Sequence, residues 1–353
     1  MKYGKNSRHV LIIGAGAYGT ALQACILSNP NNSVMLLNRK DCLTFQIDLS
    51  RFDFVLLAVP SQALREAALW LKEQLDKSTN QLSSRGLTAG SSNVCLDPAV
   101  KPRDDTKNTL KIISTAKGIE KNTMLLPHQI LEEIFSNHDV SIAVLSGPSF
   151  AKEMMAGLPT CVVLASKDEK FLKMASPILH SSYFRIYDSN DILGVEIGGA
   201  LKNVIAMVAG AVDGLNLGNN ARAAVITRGL SEIAEIGVKM GASPLTFMGL
   251  SGLGDLILTC TGDLSRNRQF GFRMAKGESK ISVLRSLGGV VEGIATTQSA
   301  YKLTKKLNIK TSLLMTTYQV LYQNLPISEA LETLLNGQQS TEFDWINNGI
   351  ADC

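Results

Sequence analysis

The sequence predicts an α/β protein in which an N-terminal doubly wound sheet is followed by an all-α C-terminal domain. Three observations carry that prediction. Short β-branched runs alternate with helical patterns over the first half of the chain, the spacing of parallel strands joined by crossover helices. The first run ends in Gly14-Ala15-Gly16-Ala17-Tyr18-Gly19, a glycine pattern set between a strand and a helix. Beyond residue 190 the strand signal stops and long apolar helices follow. The 353 residues accommodate two domains of ordinary size, 1–190 and 191–345.

Taken in order, residues 9–13 are the first strand, and residues 20–27 form a helix whose small residues face it. Gly14 permits the tight turn, Gly16 lets the backbone approach a pyrophosphate, and Gly19 allows close helix packing. The anion would sit on the helix N-terminus, which is the Rossmann-like way of holding a dinucleotide. A glycine-rich turn without a ligand is the plainer alternative. Residues 33–37 form the second strand and lead into Asn38-Arg39-Lys40. NAD-specific sites carry an acidic residue here for the ribose 2′-hydroxyl, whereas Arg39 suits a 2′-phosphate, so NADP(H) is favoured over NAD(H). A solvated strand end is the alternative. Residues 54–59 and 110–115 are further buried strands, ending in Pro60-Ser61-Gln62 and Ala116-Lys117-Gly118. Strand ends line ligand crevices in such sheets.

Composition narrows the function classes. Apolar residues make up 45% and charged residues 19%, unlike an unfolded chain. The 35 basic and 31 acidic residues leave +4 with no block of like charges, so no nucleic-acid surface is indicated. The 6 cysteines form no Cys-x-x-Cys pair and no histidines stand at ligand spacing. Neither a metal site nor a disulfide framework is therefore expected, and reduced thiols fit a cytoplasmic protein. The longest apolar stretch, 193–212, is interrupted by Glu196, Lys202 and Asn203, so no membrane span is expected.

In the second half, residues 191–210 read as a helix that is apolar all round and carries one lysine, Lys202, beside Asn203. Desolvation would lower the pKa of a buried lysine into the range useful for proton transfer. A snorkelling or ion-paired lysine is the alternative. Residues 249–256 are a glycine-rich approach to a helix that includes Asp255, and Ser265-Arg266-Asn267-Arg268 begins another with Ser265 as N-cap. The amides of that helix start, with Arg266 and Lys117, suit a phosphate; a solvated helix start is the alternative. The apolar helices also make a homodimer plausible.

These segments stand as ordered blocks: GAGAYGTAL at 14–22, VLLAVPSQALRE at 55–66, STAKGIE at 114–120, LSGPSFAKEMMAGLPT at 145–160, GVEIGGALKNVIAMVAGAVDGL at 194–215, ARAAVITRGL at 221–230, FMGLSGLGDLILTCTGDLSRNRQFG at 247–271 and VVEG at 290–293. Together they resemble the bacterial-type NAD(P)-dependent sn-glycerol-3-phosphate dehydrogenases over most of the chain. The resemblance implies reversible reduction of dihydroxyacetone phosphate to sn-glycerol 3-phosphate for glycerophospholipid synthesis. It implies Lys202 as proton donor and acceptor, and Lys117 between substrate and nicotinamide. It assigns Gly147, Ser149, Asp255, Ser265, Arg266 and Asn267, with the two lysines, to the substrate. It assigns Gly14, Gly16, Ala17, Tyr18, Gly19, Arg39, Lys117, Ala151, Arg266, Val290 and Glu292 to the cofactor, and no metal.

Two departures from the family pattern stand out. Only residues 41–52 separate the second strand from the next buried one, where relatives have a further helix and strand. That unit is expected to be missing, with too little chain left for a crossover. Residues 76–109 read as a disordered insert, because they are polar, Ser-rich and aperiodic. Two rival readings stay open. A related β-hydroxyacid dehydrogenase would share the buried lysine but need a carboxylate grip, and a catalytically impaired nucleotide-binding paralogue would explain the missing unit.

Overall fold

The computed structural model describes residues 8–84 and 109–335. The chain divides into two compact units: 1–116 with 127–145 and 149–192, and 117–126 with 146–148 and 193–353. The short pieces 117–126 and 146–148 leave the sheet at strand ends and belong to the second unit.

The first unit is built on a seven-stranded sheet: β1 (Arg8–Ile13), β2 (Asn32–Leu37), β3 (Phe54–Leu57), β4 (Leu110–Ser114), β5 (Val140–Ser146), β6 (Thr160–Ser166) and β7 (Phe184–Ser189), in the spatial order β2-β1-β3-β4-β5-β6-β7. The pairs β1–β2, β1–β3, β3–β4, β4–β5 and β6–β7 are parallel, with Val10 set between Val34 and Phe54. Covered on both faces, β1 and β3 carry the unbroken apolar runs 10–13 and 54–57. Val10, Ile12, Phe54 and Leu56 pack with Leu22 and Ile26 of α1 (Ala17–Leu27) and with Phe171. This is a Rossmann-like sheet.

Among the described residues β2 is an edge strand, with nothing paired on its outer side, where the third strand of a 3-2-1-4-5-6 order would lie. The expectation that too little chain remains for the crossover is wrong. The 16 residues from 38 to 53 join β2 to β3 through a six-residue helix, α2 (Arg39–Thr44), and a 3-10 turn at Leu49–Arg51. A parallel connection needs about a dozen residues, so this length suffices. Asn38 and Asp41 close a reciprocal capping box on α2. The Ile47 amide donates to Gln74 Oε1 at 3.2 Å, which pins the connection to α3 (Leu64–Ser84).

That helix also corrects the proposed insert: residues 76–84 are its last turns, not loop. Residues 85–108 lie outside the described residues. The unit is completed by α4 (Pro127–Ile134), α5 (Ala151–Met155) and α6 (Glu169–Leu179), the last capped by Asp168.

The second unit is helical around α7 (Ile192–Gly214), followed by α8 (Gly218–Lys239), α9 (Pro244–Phe247), a wide π-turn at Leu250–Gly254, α10 (Asp255–Thr261), α11 (Arg266–Ala275), α12 (Lys280–Leu287), α13 (Glu292–Leu307), α14 (Ser312–Tyr322) and α15 (Ile327–Leu335). Among the described residues α7 alone is long and apolar enough by itself to cross a membrane, yet 89% of its apolar window is buried, as in a core helix. Glycines let α11 press directly on it. A Cβ on Gly210 would lie 1.9 Å from the Arg268 carbonyl oxygen, and one on Gly271 would lie 1.8 Å from that of Met207.

Candidate active site

The apolar path of α7 carries Lys202 into the core of the second unit, where only 6% of it is exposed. A buried ammonium must be paired, and Lys202 Nζ donates to Asp255 Oδ1 and, at 2.9 Å, to Thr259 Oγ1. The other oxygen of Asp255 accepts from Lys117 Nζ at 2.8 Å, and Lys117 also donates to the Gly147 carbonyl at 3.0 Å. Two ammonium groups therefore share one carboxylate, which leaves a net positive centre. Burial draws the Lys202 pKa down from 10.5 to about 8; the Asp255 carboxylate opposes the shift and the neighbouring Lys117 charge adds to it.

Asp255 opens α10 and is itself buried, and Thr259 follows one turn later on the same face. The Thr259 hydroxyl donates to the Asp255 carbonyl at 2.6 Å, which turns its oxygen lone pairs towards Lys202. Thr259 was not among the residues expected from sequence. Its signal was available in the i, i+4 spacing from Asp255.

The segment 265–268 divides its labour. Ser265 caps α11 by accepting from the Arg268 amide at 3.2 Å. Asn267 is buried, donates to Asn203 Oδ1 at 2.9 Å and accepts from the Gly293 amide at 3.0 Å. Arg268 is a structural cation, bonded to Asp213 at 2.7 Å and Asp263 at 2.8 Å. Arg266 is exposed, and no acid pairs with it among the described residues. Its guanidinium lies over Gly289, where a Cβ would come within 2.1 Å of it. Val290, half exposed, and Glu292, at the start of α13, follow directly.

In the first unit, Gly14 has φ +117°, and a Cβ there would strike the Ala58 carbonyl oxygen at 2.3 Å. A Cβ on Gly19 would lie 1.9 Å from the Gly14 carbonyl oxygen, so helix and turn touch backbone to backbone. Around Gly16, the N-cap residue of α1, no atom lies within 4 Å of a Cβ position, and no side chain caps the helix. An open turn with uncapped amides fits a pyrophosphate. Tyr18 Oη and Ser149 Oγ are 3.1 Å apart, joining the α1 start to the residues just before Ala151 and α5. Ser149 thus sits in the first unit, while Gly147 belongs to the second. Arg39 stands at the end of β2 as expected, but its guanidinium meets Glu66 of α3 at 2.8 Å, an acid the sequence reading did not place there.

Comparisons with known proteins identify the family. Residues 9–172 match the family model described as NAD-dependent glycerol-3-phosphate dehydrogenase N-terminus, and residues 191–332 match the corresponding C-terminus. A glycerol-3-phosphate dehydrogenase (NAD(P)+) of Nitrosomonas eutropha is 39% identical over 339 residues, covering 95% of this chain and 100% of its own. One of Leptospira biflexa is 40% identical over 331 residues, covering 92% and 96%. The crystal structure of glycerol-3-phosphate dehydrogenase from Coxiella burnetii superposes with a TM-score of 0.76 at 31% identity, covering 94% of this chain and 99% of that one. Family matches over both halves, and relatives aligned along nearly their whole length, show that the chain belongs to the NAD-dependent glycerol-3-phosphate dehydrogenase family.

Proposed function

We propose that this oxidoreductase reversibly reduces dihydroxyacetone phosphate to sn-glycerol 3-phosphate, with Lys202 as proton donor and acceptor. The observation that supports the reading most directly is the buried Asp255 carboxylate shared by Lys202 and Lys117. Reduction of a ketone puts negative charge on its oxygen, and an ammonium aimed at that oxygen both stabilises and protonates it. A Lys202 pKa of about 8 makes the ammonium and the amine accessible near neutral pH, as a reversible reaction requires. Asp255 holds the two lysines in place, and Lys117 sets a second cation beside the reacting oxygen.

Arg266, which pairs with no acid among the described residues, and the α11 start capped by Ser265 suit the substrate phosphate. Asn267, Gly147 and Ser149 complete the proposed substrate grip. A nicotinamide cofactor, when bound, supplies the hydride that reaches the substrate C2. Gly14, Gly16, Ala17, Tyr18 and Gly19 would hold its pyrophosphate side, and Ala151, Lys117, Arg266, Val290 and Glu292 its remaining contacts. Arg39 favours NADP(H), whose 2′-phosphate competes with Glu66 for the guanidinium.

The test is direct. Purified protein mixed with dihydroxyacetone phosphate and NADPH should consume the reduced nicotinamide absorbance, and sn-glycerol 3-phosphate should accumulate. No loss of absorbance with either NADPH or NADH would sink the proposal.

A further inference from the structure

We infer that Ser146 is a further substrate-binding residue whose hydroxyl holds the free terminal hydroxyl of the ketone phosphate, an assignment that rests on the reaction proposed above. Ser146 ends β5 and is 4% exposed, and its Oγ has no hydrogen-bond partner among the described residues. Buried hydroxyls are normally paired, so one that is not needs an explanation. The neighbouring strands show the ordinary outcome. Ser114, which ends β4, accepts from the Ala116 amide at 3.3 Å, and Ser166, which ends β6, donates to the Ile142 carbonyl at 2.7 Å. Ser146 stands between them in the sheet order with its hydroxyl unused.

Its surroundings place that hydroxyl at the catalytic wall. A Cβ on Gly199 would lie 2.7 Å from Ser146 Oγ and 3.6 Å from Lys117 Cγ, so the hydroxyl rests against the bare Cα of Gly199 beside the Lys117 stem. Gly199 precedes Lys202 by three residues on α7, which puts both on one helix face. The carbonyl of the next residue, Gly147, already accepts from Lys117 Nζ. The substrate brings three polar features to this wall. Its ketone oxygen belongs to Lys202 and Lys117, and its phosphate to Arg266 and the α11 start. Its hydroxyl is left, and so is that of Ser146.

Ser146→Ala tests this against a second substrate, hydroxyacetone phosphate, which keeps the ketone and the phosphate but lacks the hydroxyl. The variant should lose about tenfold in kcat/KM on dihydroxyacetone phosphate, the worth of one buried hydrogen bond, and lose nothing on the deoxy substrate. Its Tm should stay level or rise, because no protein hydrogen bond is removed. Gly199→Ala, which pushes the hydroxyl aside, should reproduce the selective loss and add nothing to Ser146→Ala. Equal losses on the two substrates, a Tm lowered by several degrees, or weaker NADPH binding by fluorescence titration with the substrate ratio intact would each overturn the assignment. So would unchanged kinetics. Failure of the unaltered protein to turn over dihydroxyacetone phosphate overturns the proposed reaction and this assignment with it.

Discussion

Asn267 donates its side-chain amide to the Asn203 side-chain oxygen at 2.9 Å, tying the residue next to Arg266 to the residue next to Lys202. Both side chains are buried, and Asn267 also receives the Gly293 amide. Asn267→Ala would orphan an acceptor and a donor, each costing about 1–3 kcal/mol when buried. Urea denaturation should show a loss of roughly 2–4 kcal/mol in stability, and a double cycle with Asn203→Ala should be clearly non-additive.

Lys202→Ala removes the proposed proton donor and leaves Asp255 paired with Lys117. Turnover should fall by about 10²–10⁴-fold, while NADPH binding, read by fluorescence, stays near that of the unaltered protein. Turnover within a factor of two of normal would take Lys202 out of the reaction.

The lowered Lys202 pKa sets the sign of the pH response. Reduction needs the ammonium, so its kcat should fall as pH rises through about 8. Oxidation of glycerol 3-phosphate needs the neutral amine, so its kcat should rise through the same pH. An ordinary lysine would move both transitions up towards 10.5. Initial-rate profiles in the two directions distinguish these outcomes.

Arg39 and Glu66 form an exposed pair, and such pairs add little stability. Arg39→Asp should shift the kcat/KM ratio towards NADH by about tenfold or more, the loss of one charge-assisted phosphate contact. Glu66→Gln should tighten NADPH binding and leave NADH binding unchanged. Titration of each cofactor by fluorescence checks both outcomes, with Tm as a control that should not move.

The sheet was legible because its signals are local: buried β-branched runs, a glycine turn between strand and helix, and one lysine in an apolar helix. The link between β2 and β3 was misread because the family resemblance set the expectation of a longer one, whereas the Asn38–Asp41 capping box starts a helix short enough for the chain available. The end of α3 was misread because its last residues are polar, yet a helix already nucleated adds turns at little cost. Lys202 was legible as a buried charge, but its partner Asp255 lies 53 residues away, and Lys117 lies 138 residues from Asp255. No periodicity reports contacts at such separations. Ser265 was legible as the cap of α11, but only packing shows Asn267 bridging Asn203 and Gly293 and Arg268 held by Asp213 and Asp263.

Where α7 crosses α11, main chain meets main chain at Gly210 and Gly271. Side chains in a contact can change rotamer and let two helices slide, but here the opposing parts are carbonyl oxygens with no slack. Lys202 rides on one helix and Arg266 on the other, so the span between the proposed proton donor and the proposed phosphate holder works like the fixed jaws of a caliper. Under the proposed reaction substrate length would be gauged by the backbone itself, and a single added methyl group at either glycine would put the instrument out of true.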